Sequence, residues 1–379
     1  MIDHDRIVFD QLESTLHEQG LGAALDLLID SYRREKQYPH LFDALSMQAR
    51  HRLGLSLSTA DPVPEDKRRA YDDALVGAAR QTGQLFLDDG HLARAWPYFR
   101  AIGEPAVIEK AIESYNPAED ADAVIEIALG ERVHPRKGFE LVLSQHGTCR
   151  AITCFEQVPE GEPRRYALAL LVDTLYRELS ENLKRTIERR ENASPSATSV
   201  RELIHNRDWL FGEYDYYVDT SHLISVLRYS TETNDSAVLA KAVELAEYGQ
   251  HLAAMFNNPG EPPFDDIYRD HEIYLHALLG ENVEAAAQHF LRKIDQLDFE
   301  VTGSYPVQVV VRMLCRFGRF SQAADLFEKH LTDVDPMYLT CPSLTDLVRL
   351  AKDWDRLQSL ARRRNDLLTW LSARSELQS

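Results

Sequence analysis

Apolar side chains return every three or four positions along nearly the whole chain, as at Leu168, Leu171, Leu175, Leu179 and Leu183. At 3.6 residues per turn this spacing gathers them on one stripe of a helix, the stripe that a core covers. Strand-type alternation is almost missing. The pattern predicts an all-α protein with helices over about 4–18, 21–35, 39–53, 64–88, 91–101, 104–115, 119–130, 136–145, 148–157 and 164–191. Further helices are expected over about 220–231, 236–254, 263–279, 282–297, 304–317, 320–332, 342–352 and 355–373.

Two stretches interrupt the pattern. Residues 191–199, Glu-Asn-Ala-Ser-Pro-Ser-Ala-Thr-Ser, are too polar to bury much apolar surface. They divide the chain into an N-terminal helical array over 1–190 and a C-terminal one over 200–379, or form an exposed loop in one continuous array. Residues 257–263, Asn-Asn-Pro-Gly-Glu-Pro-Pro, read as a turn leading into a helix with proline near its first position.

A short pattern recurs at helix junctions: Gly90, Leu92, Ala95, Phe99, and again Gly318, Phe320, Ala323, Phe327. Gly280 with Val283, Ala286 and Phe290 is a looser copy. Glycine closes one helix and an apolar residue opens the next. The alanine lets two backbones approach where they cross, and the aromatic ring fills the groove beside them. This order resembles the tetratricopeptide family of helical repeats, over units near 70–101, 265–297, 304–332 and 342–365. The resemblance implies an α-solenoid of stacked antiparallel helix pairs. The family's period of roughly 34 residues is not sustained between these units, so an irregular array of helix pairs stays open.

With 379 residues the chain exceeds what one core usually supports, which fits two or three domains or an elongated array. A formal net charge of −19 would repel a polyphosphate backbone. The short basic runs at Arg164-Arg165, Lys184 to Arg190 and Arg362 to Arg364 read as solvated helix faces, so no nucleic-acid partner is expected. The four cysteines include no Cys-x-x-Cys pair, which argues against a zinc ribbon or a disulfide framework. An acidic start, Met1-Ile2-Asp3-His4-Asp5, and the lack of any run of about eighteen apolar residues predict a cytoplasmic protein with no membrane partner.

Candidate chemistry concentrates in three places. The segment 207–222 is an aromatic, polar insert in the C-terminal array, whose Tyr216 and Tyr217 have hydroxyls that need partners. Asp219 and His222 stand three apart and would share a helix face toward a divalent metal; alternatively Asp219 or Thr220 caps the helix that follows. Next, Asp265, Asp266, Asp270 and His271 precede Glu272 and His276. Their Asp-Asp-x-x-x-Asp spacing is similar to the aspartate-rich motif of class I terpenoid synthases, which implies magnesium-bound diphosphate. Those enzymes' second motif is not matched, since Asn234-Asp235 is followed by Val238 where a hydroxyl belongs. First-turn acids also suit the helix dipole. Third, His146, Gly147, Cys149 and Arg150 form a helix–turn–helix junction. Cys149 and His146 would serve as nucleophile and base, or His146 and Arg150 would hold an anion; a glycine cap with a small buried cysteine explains the same residues. His51, His134, His251 and His330 lack ligand spacing and read as surface or locally bonded residues.

Two functions follow. The first is a binding module for a protein or peptide, with Arg150, Tyr216, Tyr217 and Arg228 as contacts. The second is an enzyme acting on a small molecule, with a divalent metal in a central pocket lined by His146, Asp219, His222, Asp270 and His271. Its metal ligands would be Asp219, His222, Asp270 and His271, and its catalytic candidates His146, Cys149 and His222. No phosphate loop, dinucleotide fingerprint, His-Glu-x-x-His or nucleophile elbow occurs.

Overall fold

A computed structural model describes residues 2–117, 121–257 and 259–377, with side chains from Phe9 onward. The start of the helix expected over 119–130 and Asn258 of the predicted turn lie outside the described residues. The regular structure of the described residues is entirely helical. The chain divides into two compact units, Met1–Ala167 and Leu168–Ser379.

The first unit contains α1 (Ile2–Gln19), α2 (Leu21–Arg34), α3 (Tyr38–Arg52), α4 (Glu65–Asp88), α5 (Leu92–Ala101) and α6 (Pro105–Glu113). Then come α7 (Ala121–Ile125), which continues into a π-helical turn (Glu126–Gly130), and α8 (Pro135–Phe155). Helix α9 (Glu162–Glu191) carries the division. The second unit goes on with α10 (Val200–Ile204), α11 (Thr220–Ser230), α12 (Ser236–Gln250), α13 (Ile267–Leu278), α14 (Val283–Asp295) and α15 (Phe299–Thr302). It ends with α16 (Tyr305–Arg316), α17 (Phe320–His330), α18 (Leu344–Leu350), α19 (Trp354–Arg363) and α20 (Leu367–Glu376). Within each unit most helices adjacent in sequence pack as antiparallel neighbours, among them α1 to α5 in succession, α11 to α14, and α16 to α20.

The recurrent junction has one backbone geometry. Gly90, Gly280 and Gly318 sit at φ of 81°, 85° and 70°, a left-handed conformation that a Cβ disfavours. Each glycine N–H donates three residues back, and the next N–H donates five back: His91 to Phe86 O at 2.8 Å, Glu281 to His276 O at 2.9 Å, Arg319 to Leu314 O at 2.8 Å. This closure satisfies the last helical carbonyls and turns the chain at once into the next helix. The alanine and the aromatic of each copy then enter the core: Ala95 and Ala323 have no exposed surface, and Phe99, Phe290 and Phe327 are buried. Opposite Phe99, Gly83 on α4 admits the ring, since a Cβ there would stand 2.7 Å from Phe99 Cε2.

In the first unit Tyr38, Leu41, Phe86, Phe99, Ile108 and Val124 share one core; in the second Tyr274, Phe290, Val311, Leu314, Phe327 and Leu347 share another. The stripe Leu171, Leu175, Leu179 and Leu183 is fully buried.

Several boundaries differ from the sequence expectation. The two compact units part inside α9, and the polar stretch 191–199 leads into a capping box in which Ser199 and Glu202 close the start of α10. Helix α13 starts at Ile267 rather than 263, because residues 259–266 turn back on themselves, with the Gly260 N–H donating to Asp265 O. The helix expected over 355–373 is two, joined at Asn365 in a left-handed conformation. The break expected between 145 and 148 is present: Gly147 interrupts α8 at φ 77°. No helix among the described residues is long and apolar enough to cross a membrane.

Candidate functional site

Helix α11 begins where Asp219 caps it. Asp219 Oδ1 accepts from the Ser221 N–H at 2.8 Å, the Ser221 hydroxyl at 2.6 Å and the His222 N–H at 3.4 Å. The Ser221 hydroxyl and these amides hold the carboxyl below its usual range. The core side of the helix buries Leu223, Val226 and Leu227, which leaves Ser221, Ser225 and Arg228 on its outer face.

That face forms one wall of a groove. The turn at 259–264, the start of α13 and helix α16 form the others, around a cavity of about 630 Å³. Arg228, Arg312, Tyr305, Phe264 and His271 line it, and Glu261 is the one acidic residue among its lining. Arg312 donates to Thr340 O at 3.2 Å and lies 5.8 Å from the Tyr305 ring centre. Arg228 is exposed and has no ion pair or side-chain hydrogen bond among the described residues. A chain of net charge −19 thus concentrates two guanidinium groups in this recess.

His271 forms part of the floor. It is buried, donates Nδ1–H to Ile267 O at 2.6 Å and stacks on Phe264 with ring centres 4.3 Å apart. Burial pushes its pKa down to about 4, opposed by the bond to Ile267 and assisted by Arg228. The ring is therefore neutral near pH 7, with its lone pair on Nε2.

The four residues considered as metal ligands do not assemble into one set. Asp219 caps α11, and His222 lies outside the groove lining. Asp270 is fully buried and committed to α14, with Oδ1 2.7 Å from His289 Nε2 and Oδ2 2.5 Å from Lys293 Nζ; the Asp266 N–H also donates to it at 2.9 Å. Lys293 reaches Asp265 as well, at 2.7 Å. A lysine thus supplies the positive charge that the aspartate-rich spacing suggested for magnesium. Among the described residues, the one group of His, Cys, Asp or Glu side chains with three ligand atoms within mutual reach is Glu247, Glu272 and His276.

The tyrosines of the 207–222 insert separate in role. Tyr217 pins the segment: its hydroxyl donates to Leu210 O at 2.9 Å, its N–H donates to the Tyr248 hydroxyl at 2.8 Å, and its carbonyl accepts from Asn182 at 2.6 Å. Tyr216 is exposed beside Phe256. Both border a cavity of about 300 Å³ with Arg185 and Arg189.

In the first unit, His146 and Arg150 do come together. They line a cavity of about 340 Å³ with Asp122, Glu126 and Cys154, and His146 Nε2 lies 2.8 Å from Asp122 Oδ1. Cys149 is exposed and outside that lining; the cysteine facing the cavity is Cys154. A larger recess of about 760 Å³ lies among α2, α3 and α4, with Ala70, Ala74 and Ala78 along one side and Asp26, Asp30 and Arg33 among its lining.

Sequence reasoning missed Tyr305 and Arg312. The available signal was their position seven apart on the face of α16 opposite the stripe Val307, Val310, Val311 and Leu314. Neither a protein-family model, nor a curated protein, nor a solved structure matches the chain, and the geometry of these recesses is what bears on function.

Proposed function

We propose that the chain is a helical-repeat binding protein of the tetratricopeptide-like kind, and that the groove between α11 and α16 takes a peptide segment bearing a carboxylate. The observation that carries this reading is Arg228, an exposed guanidinium without an ion pair among the described residues, at the wall of a cavity of about 630 Å³. A guanidinium recognises a carboxylate through two parallel N–H bonds, and a recess with polar groups on apolar walls suits an extended chain. Phe264, Ile267 and Val309 supply the apolar wall, and Ser221 and Ser225 supply neutral hydroxyls. The three glycine-closed helix pairs support the repeat reading, because they solve the same crossing with the same residue types.

Selection from a displayed peptide library against the purified chain tests the proposal. Enriched sequences should share an acidic residue or a free C-terminus, and an Arg228→Glu variant should bind them at least about tenfold more weakly, as expected for a lost charge-assisted bond. No enrichment, or undiminished binding to Arg228→Glu, overturns it.

A further inference from the structure

Helices α12 and α13 pack side by side in the second unit, closely enough that Gly249 of α12 meets the ring of Tyr268 of α13. Two residues before that glycine, Glu247 stands opposite Glu272 and His276, which are one turn apart on α13. One ligand atom from each of the three lies within 4.8 Å of the others, and all three side chains are half-buried.

The histidine is set up as a ligand. Its Nδ1 pairs with Glu281 Oε2 at 2.6 Å, which places a proton on Nδ1 and turns Nε2 toward Glu272 Oε1 at 3.9 Å. That separation is too long for a hydrogen bond, and a side-chain shift of about half an ångström would bring both atoms within the roughly 2.0–2.2 Å that a shared zinc ion needs. Glu272 is oriented from outside as well, since Gln250 Nε2 donates to its other oxygen at 2.6 Å. Glu247 is held by Arg201, Nε to Oε2 at 2.7 Å and Nη2 to Oε1 at 2.6 Å, and each oxygen keeps a second lone pair. Every ligand thus has an outer partner fixing its direction, the arrangement that tunes metal sites. A histidine that ligates a metal is neutral, so with a metal bound the three groups supply two negative charges, of which Arg201 offsets one.

We infer that Glu247, Glu272 and His276 bind one divalent transition-metal ion, which ties α12 to α13. One nitrogen and two carboxylate oxygens favour zinc, manganese or ferrous iron over magnesium or calcium, which take oxygen ligands. Arg201 competes for Glu247, so its charge weakens the site. The inference does not depend on the peptide groove, whose residues are different.

The test uses the full chain, stripped with chelator and titrated with zinc chloride by calorimetry, with cobalt(II) substitution read by visible absorption. The expected result is saturable uptake of one zinc per chain and a rise in the unfolding temperature, since only the folded state presents all three ligands. Glu272→Gln, nearly isosteric and checked for unchanged helicity by circular dichroism, should abolish that uptake and the cobalt spectrum, and His276→Ala should do the same. Glu281→Gln should keep the stoichiometry and weaken affinity by about 10–100-fold. Arg201→Gln should bind more tightly, and Arg228→Glu should bind as the parent does. Absence of saturable uptake, or uptake that survives Glu272→Gln as scattered surface histidines would give, overturns the inference.

Discussion

Gly249 on α12 lies against the phenol ring of Tyr268 on α13: a Cβ on that glycine would stand 2.5 Å from Tyr268 Cε1 and closer still to Cδ1. The ring is buried and cannot swing away. Alanine favours an isolated helix by about 1 kcal/mol over glycine, but overlap with a fixed core ring costs about 1–3 kcal/mol and sometimes more. Gly249→Ala should therefore lower stability in urea unfolding. A variant as stable as the parent would show that α12 and α13 can separate without penalty.

Phe99 occupies the space left by Gly83, and Ala95 marks the same crossing. Phe99→Ala should cost about 3–5 kcal/mol through lost burial and the cavity left behind. Ala323→Leu, at the equivalent crossing of α16 and α17, should cost about 1–3 kcal/mol by overpacking. Denaturant midpoints at unchanged slope are the measurement; two near-neutral results would remove the argument for a shared crossing.

Lys293 neutralises Asp270, whose carboxylate has no exposed surface in α13. Removing one partner strands a buried charge. Lys293→Met should destabilise by about 3 kcal/mol, the low end for a broken buried pair, because His289 and the Asp266 amide remain on Asp270. The double variant Lys293→Met with Asp270→Leu should recover much of that loss, and a cycle showing no coupling would contradict the pairing.

His271 has a folded pKa of about 4 against an ordinary 6.5, chiefly from burial. Between those values the unfolded chain holds a proton on this ring that the folded chain does not, so stability falls as pH drops from about 6.5 toward 4 and changes little from this cause outside that window. The full effect approaches about 3 kcal/mol. His271→Gln should flatten the stability–pH curve over this interval, in excess of the carboxylate contribution common to both proteins. Parallel curves for parent and variant would refute the assignment.

Features set within a few residues were legible in the sequence. The leucine stripe of α9, the glycine closures before α5 and α17, the break at Gly147 and the cap at Asp219 all follow from helical periodicity or from a donor–acceptor pair no more than five residues apart. The same local signals misled for Asp270, whose spacing from Asp265 suggested a metal while its partner waits 23 positions on, in α14. Tyr217 read as a contact residue, yet its hydroxyl reaches Leu210 and its backbone reaches Asn182 and Tyr248.

By itself the sequence determined that this chain is helical, where most helices start and stop, and which small and bulky residues meet at crossings, because backbone hydrogen bonding and the 3.6-residue turn act over one or two turns. Packing between distant helices settles which charges neutralise one another, that Arg228 and Arg312 face one recess, and that Glu247 meets Glu272 and His276. Those outcomes depend on how helices distant in sequence pack, and electrostatic partnership is set by distance in space.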